Sequence, residues 1–310
     1  LAGKFSGGAG GEEELEEKSL NYCWLPYLSG YKPLPMPSLP TPIISAEELY
    51  PLTGQSDLLI LDCRHNLFDT GAGRRLWAEA ALPGAQYLHL DEDLSGPILP
   101  GQTGRHPLPE TADFAAVMGK LGLEAATYVV VYDDKGGGIA ARLWWMLMAL
   151  GHERVAVLDG GIQAWEAAGY PLLPGKERTG APTQPRFPNG DFPGTCDRAQ
   201  TDKLRQDPAF TLIDSRTAPR YRGEEEPIDP VAGHIEGAIN LPWPDNLKDG
   251  KLRPREELRE RFAVLQAEAR QNVFYCGSGV TACHNILAYH YAYGEMPGLY
   301  PGSWSEWLIG

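Results

Sequence analysis

The stretch Val273-Phe274-Tyr275-Cys276-Gly277-Ser278-Gly279-Val280-Thr281 decides the reading of this chain: an apolar run of strand length ends at a cysteine, and a Gly-rich loop follows at once. From Ala282 to Tyr293 the pattern becomes that of a largely apolar helix. A cysteine delivered in this way can be ringed by successive backbone N–H groups turned inward, which is a nest for negative charge. The N-terminal end of the helix adds partial positive charge, so the thiolate is favoured over the thiol. Gly277 and Gly279 suit such a loop because glycine accepts positive φ and lets the backbone approach a ligand closely. Ser278 and Thr281 can add hydroxyl donors, with Val280 between them. Cys276 is therefore the candidate nucleophile. Cys63, Cys196 and Cys283 lack this context and read as small buried hydrophobes.

Working outward, the same pattern occurs earlier. Tyr128 to Asp133, then Gly136-Gly137-Gly138, then Ala140 to Leu150 repeats strand, Gly-rich loop and apolar helix. Three further landmarks recur in the same order. Leu58 to Arg64, ending Asp62-Cys63-Arg64, matches Thr211 to Arg216, ending Asp214-Ser215-Arg216. The turn Leu82-Pro83-Gly84-Ala85 matches Ile235-Glu236-Gly237-Ala238. Val155 to Leu158 with Gly160-Gly161 and Trp165 echoes Leu299-Tyr300 with Gly302 and Trp307. Strands alternating with helices in each copy predict an α/β fold: two tandem domains, each a mainly parallel sheet flanked by helices. We expect an N-terminal extension over 1–41, a first domain over 42–172, a Pro- and Gly-rich linker over 173–194 and a second domain over 195–310. Asp133 occupies the position of Cys276 in the first copy, and a carboxylate cannot replace a thiolate nucleophile, so the first domain is expected to be non-catalytic.

Composition narrows the partners. The 310 residues carry a formal net charge of -14, which disfavours a nucleic-acid groove or an anionic membrane surface. Five scattered cysteines without Cys-x-x-Cys spacing argue against a disulfide framework or a zinc ribbon, and point to a reducing, cytoplasmic setting. No apolar run reaches the length of a membrane span.

The loop Cys276 to Thr281, the Asp-x-Arg strand ends, Gly233-His234-Ile235-Glu236-Gly237-Ala238 and the closing Gly302-Ser303-Trp304-Ser305-Glu306-Trp307 together resemble tandem-domain rhodaneses, over nearly everything after residue 42. Within that family the loop is similar to that of 3-mercaptopyruvate sulfurtransferases. The resemblance implies transfer of a sulfane sulfur from a small anionic donor through a Cys276 persulfide, to cyanide or to a thiol acceptor such as a small thiol or a thioredoxin-like protein, with no metal or organic cofactor. Thiosulfate is the alternative donor. A persulfide relay module without rapid turnover is another class. A phosphatase would need Cys-x5-Arg, and position 282 is alanine.

The resemblance also places a donor-binding arginine on Arg220, within Arg220-Tyr221-Arg222-Gly223, and assigns proton transfer to Ser278 with a histidine. Arg216, Arg222 and His234 read as structural. Two positions depart from the pattern. A second arginine, nine residues after the first, falls on Asp229, and the histidine expected before the first Gly-Ala turn falls on Ala81. Ser278 is thereby expected to lack its usual partner, with His65, His89 and His106 as replacements to consider.

Overall fold

The computed structural model describes residues 41–266 and 271–309; the expected N-terminal extension lies outside them except for Thr41. The first sheet contains β1 (Ile43–Ile44), β2 (Leu58–Asp62), β3 (Gln86–Tyr87), β4 (Tyr128–Tyr132) and β5 (Val155–Leu158), in the order β1-β5-β4-β2-β3. The second contains β6 (Phe210–Asp214) and β7 (Ile239–Asn240), followed after the antiparallel hairpin β8 (Leu247–Lys248)–β9 (Lys251–Leu252) by β10 (Gln271–Tyr275) and β11 (Gly298–Leu299), in the order β11-β10-β6-β7. Every pairing in the two main sheets is parallel, as the strand–helix alternation predicts.

Helices α1 (Ala46–Leu49), α2 (Ala72–Glu79), α3 (Thr111–Lys120), α4 (Ala140–Ala149) and α5 (Gly161–Ala167) accompany the first sheet. The second has α6 (Arg198–Leu204), α7 (Ala218–Arg222), α8 (Arg255–Phe262), α9 (Ala282–Tyr293) and α10 (Ser303–Trp307).

The repeat extends to individual hydrogen bonds. Arg64 clasps the fully buried Asp62 through Nε and Nη2 and donates to the Ala80 carbonyl at 2.7 Å. Arg216 does the same to Asp214 and to the Gly233 carbonyl at 2.6 Å. Tyr132, at the end of β4, donates to Asp62 and accepts the Leu82 amide; Tyr275, at the end of β10, accepts the Ile235 amide at 3.1 Å. The repeated charged pair at each strand end thus ties the strand to the Gly-Ala turn, because a buried carboxylate must be paired on all sides.

The halves are not separate beads. Helices α4 and α9 pack together, and a single apolar cluster runs from Leu61, Val131 and Trp144 to Phe274, Ile286 and Leu287. The segment 173–194 is laid along the first half: Leu173 exchanges backbone bonds with Ala81, and the rings of Phe187 and Phe192 pack on Phe114. These two phenylalanines, with the amides of Gly175 and Thr183 bonded to the carbonyls of Trp77 and Gly119, bind the Pro-rich stretch down.

Candidate active site

Cys276 stands at the carboxyl end of β10, a central strand of its sheet, which is where open α/β sheets bind ligands. The residue is 2 % exposed. Burial works against ionisation, but donation from the Thr281 hydroxyl and the amides of Ser278, Ala282 and Gly279 outweighs it and brings the thiol below the ordinary cysteine range. The loop can close this tightly because Gly279 has φ +75° and lies against the Pro301 backbone, where a side chain would collide. Val280 is buried and packs into the core. The Cys276 amide is bound by the Ser303 hydroxyl at 3.1 Å, and Ser303 itself sits at φ 55°.

Replacing Thr281 by valine removes one donor to the sulfur at constant shape. We expect the acid limb of Cys276 alkylation to move to higher pH and the rate near pH 6 to fall about tenfold. An unmoved limb would remove Thr281 from the nest.

The first half supplies an internal control. At the position of Cys276, the Asp133 carboxylate accepts the amides of Lys135, Gly137, Ile139 and Ala140 at 2.7–2.8 Å. The duplicated loop therefore encircles a negative group in both copies. In the first copy that group is a carboxylate, which holds no transferable sulfur.

Ser278 does not lack a partner. Its Oγ lies 2.8 Å from His106 Nδ1, and His106 Nε2 lies 3.1 Å from Asp91 Oδ1. This corrects the expectation drawn from Ala81: the histidine arrives from the loop before α3, in the other half of the molecule. Burial lowers the His106 pKa against the opposing pull of Asp91, and the His106 hydrogen bond holds Asp91 below the usual carboxylate range. A carboxylate can only accept, so the neutral ring places its proton on Nε2 and leaves Nδ1 to accept the Ser278 hydroxyl. Among the other candidates, His89 is occupied by the Thr70 carbonyl and the amides of Asp91 and Glu92. Buried His65 has no hydrogen-bond partner on either ring nitrogen among the described residues, and desolvation drops its pKa to about 4. His65, His89 and Asp91 could converge on a metal ion only by giving up the bonds His89 already makes. His234 stacks on Tyr221 and bonds its carbonyl, a structural position.

Arg220 lies beside the nest, held by Glu226 through Nε and Nη2 and by Asp229 at 3.3 Å. Arg216 is committed to Asp214 and Glu226, and Arg222 pairs with Glu224 on the surface. Sequence reasoning missed Arg105, which forms an ion pair with Asp229 from across the two halves. It also missed Arg142 of α4. That guanidinium is wholly buried and donates to the carbonyls of Gly279 (3.0 Å), His106 (3.1 Å), Leu94 and Pro107. His284, third residue of α9 as Arg142 is of α4, reaches the Gly136 carbonyl at 3.0 Å in mirror fashion. The one available signal was the adjacent pair Arg105-His106 in a Gly- and Pro-bounded loop of a half that carries no nucleophile.

A cysteine ringed by amide and hydroxyl donors on a duplicated α/β framework defines a class, and comparison with known proteins agrees. The Rhodanese-like domain model matches residues 45–168 and 197–309, so the chain belongs to the rhodanese family. A Pseudomonas aeruginosa protein named "Probable 3-mercaptopyruvate sulfurtransferase" is 44% identical over 276 residues, 86% of this chain and 94% of that one. A thiosulfate sulfurtransferase of Cricetulus griseus is 35% identical over 266 residues, covering 81% and 85%. The solved structure of 3-mercaptopyruvate sulfurtransferase from Leishmania major superposes with a TM-score of 0.74 at 34% identity, over 88% of this chain and 75% of that one.

Proposed function

We propose that this protein is a sulfurtransferase that takes a sulfane sulfur from 3-mercaptopyruvate onto Cys276 and passes it to a thiol or to cyanide. In this reading residues 195–310 carry the chemistry and residues 42–172 supply the opposite wall, including the proton relay. The observation that carries the donor assignment is the chain Ser278–His106–Asp91 beside the thiolate nest.

The half-reaction balances without a cofactor. The Cys276 thiolate attacks the donor sulfur, an S–S bond forms, and the C–S bond breaks with its electron pair going to carbon. The proton of the donor thiol must reach that carbon to give pyruvate, leaving the persulfide as the anion. Ser278, backed by neutral His106, stands where it can move this proton, and the nest amides stabilise thiolate and persulfide alike. Arg220 offers the donor carboxylate its charge and its Nη1, since Nε and Nη2 already bond Glu226 and Asp229. Thiosulfate makes no such demand, since sulfite departs without a carbanion to protonate. The four described cysteines are all unpaired, which supports a reducing, cytoplasmic setting and a thiol as the acceptor.

The test is kcat/KM for both donors with one thiol acceptor, in the parent protein and in His106→Gln. We expect 3-mercaptopyruvate to be the better substrate, and the variant to lose on the order of 100-fold with it while losing far less with thiosulfate. Equal losses with the two donors, or a parent preference for thiosulfate, would overturn the reading. A persulfide seen by mass spectrometry without rapid turnover would favour a relay module.

A further inference from the structure

We propose that Arg105, from the half of the protein without the nucleophile, is the second donor-binding cation of the site, set in place by Asp229. This rests on Cys276 using an anionic donor. In the resemblance of the sequence to tandem-domain rhodaneses, position 229 was expected to be an arginine; here it is a carboxylate, 3 % exposed in its side chain. Asp229 is not idle. Its two oxygens join Arg105 and Arg220, so a single carboxylate orients one guanidinium from each half. The positive charge expected at 229 has moved across the interface to the residue that faces it.

The guanidinium groups of both arginines converge beside the nucleophile. A Cβ placed on Gly277, the residue after Cys276, would lie 2.9 Å from Arg105 Nη2, 3.4 Å from Arg220 Nη2 and 3.7 Å from Arg220 Nη1. Glycine at 277 is thus what lets the guanidinium groups reach the mouth of the nest. Arg220 spends Nε and Nη2 on Glu226 and Asp229. Arg105 spends Nη1 on Asp229, and its buried Nε has no partner among the described residues. A buried donor left open in this way calls for an acceptor. The two oxygens of a carboxylate, or those of a sulfonate-like donor, fit that requirement.

The backbone makes the placement rigid. The Arg105 amide donates to the Ser305 hydroxyl at 3.1 Å, in α10 of the other half, and the next residue is the relay histidine His106. One short loop therefore delivers both the cation and the proton acceptor.

Two measurements test the proposal, the first of them independently of which donor is physiological. The first is the alkylation rate of Cys276 by anionic iodoacetate against neutral iodoacetamide, read on the Cys276 peptide by mass spectrometry. Arg105→Gln is expected to slow iodoacetate about 10-fold or more and to leave iodoacetamide within about twofold. The second is steady-state kinetics with 3-mercaptopyruvate, where KM should rise about 10- to 100-fold with kcat moving less. The exchange R105D/D229R restores an ion pair with an arginine on the other strand of the cleft, and should recover most of the iodoacetate preference. It also guards against a fold defect in the single variant. An iodoacetate-to-iodoacetamide ratio unchanged in Arg105→Gln overturns the proposal. If the parent protein ignored 3-mercaptopyruvate yet kept an Arg105-dependent iodoacetate preference, the donor reading would fail and the anion site would stand.

Discussion

Replacing Cys276 by serine is expected to remove sulfur transfer by a factor on the order of 10⁴ or more, with no sulfur adduct after exposure to donor. The nest would remain, but a serine hydroxyl in it stays protonated at neutral pH, so the ring of amides would have no anion to stabilise. A sharper variant follows from the duplication. Cys276→Asp copies into the second half the group that Asp133 presents in the first, where four amides receive it. That protein should fold and melt at or above the parent temperature while transferring no sulfur. Retained transfer in either variant would refute the nucleophile, and an unfolded Cys276→Asp protein would refute the equivalence of the two nests.

The second large effect is expected at Arg142. Replacing it with leucine takes a donor from four carbonyls: Pro107 keeps the Gly96 amide and Gly279 the Cys283 thiol, while those of His106 and Leu94 keep no other donor among the described residues; relief of a buried charge without a carboxylate partner there offsets part of the cost. The net cost is about 3 kcal/mol, a fall in Tm on the order of 10 °C. Activity should fall further than stability explains. The guanidinium joins the nucleophile loop at Gly279 to the backbone of His106, so its loss frees Ser278 and His106 to separate. Assayed well below the melting point, turnover with 3-mercaptopyruvate should drop about 100-fold while iodoacetamide still alkylates Cys276. Turnover within about threefold of the parent would mean that Arg142 only supports the fold.

The acid side of the activity profile follows from the same groups. Cys276 lies below the ordinary cysteine range and His106 below the ordinary histidine range, and both shifts favour the pairing of a thiolate with a neutral imidazole. Acidification removes the thiolate and protonates Nδ1, and both changes act against transfer.

Much of the architecture was legible because it is local. The apolar run to Tyr275, the glycines after Cys276 and the helix from Ala282 lie consecutively in the chain, and backbone sterics turn that order into strand, nest and helix. The Asp62-Cys63-Arg64 and Asp214-Ser215-Arg216 ends were recognisable as a repeat, since each pair bonds within three residues. The partner of Ser278 was legible only as one of three candidate histidines. His106 is 172 positions away in sequence, and only the packing of α4 on α9 brings its loop over the nest. The expectation of a missing histidine came from seeking it at the position equivalent to His234, the wrong loop.

By itself, then, the sequence determined the duplicated parallel sheets and the rings of amides that receive Cys276 and its counterpart Asp133, because each depends on residues that are neighbours along the chain. The tertiary structure alone decided which charges and protons surround that sulfur. Each half sends a loop across to the other: Arg105 and His106 reach Gly277 and Ser278, next to Cys276, while Leu247 and Trp243 cover Gly136 and Gly138. Coulombic and hydrogen-bonding partners are chosen by distance in space, and a buried interface between two copies is where sequence separation carries the least information about that distance.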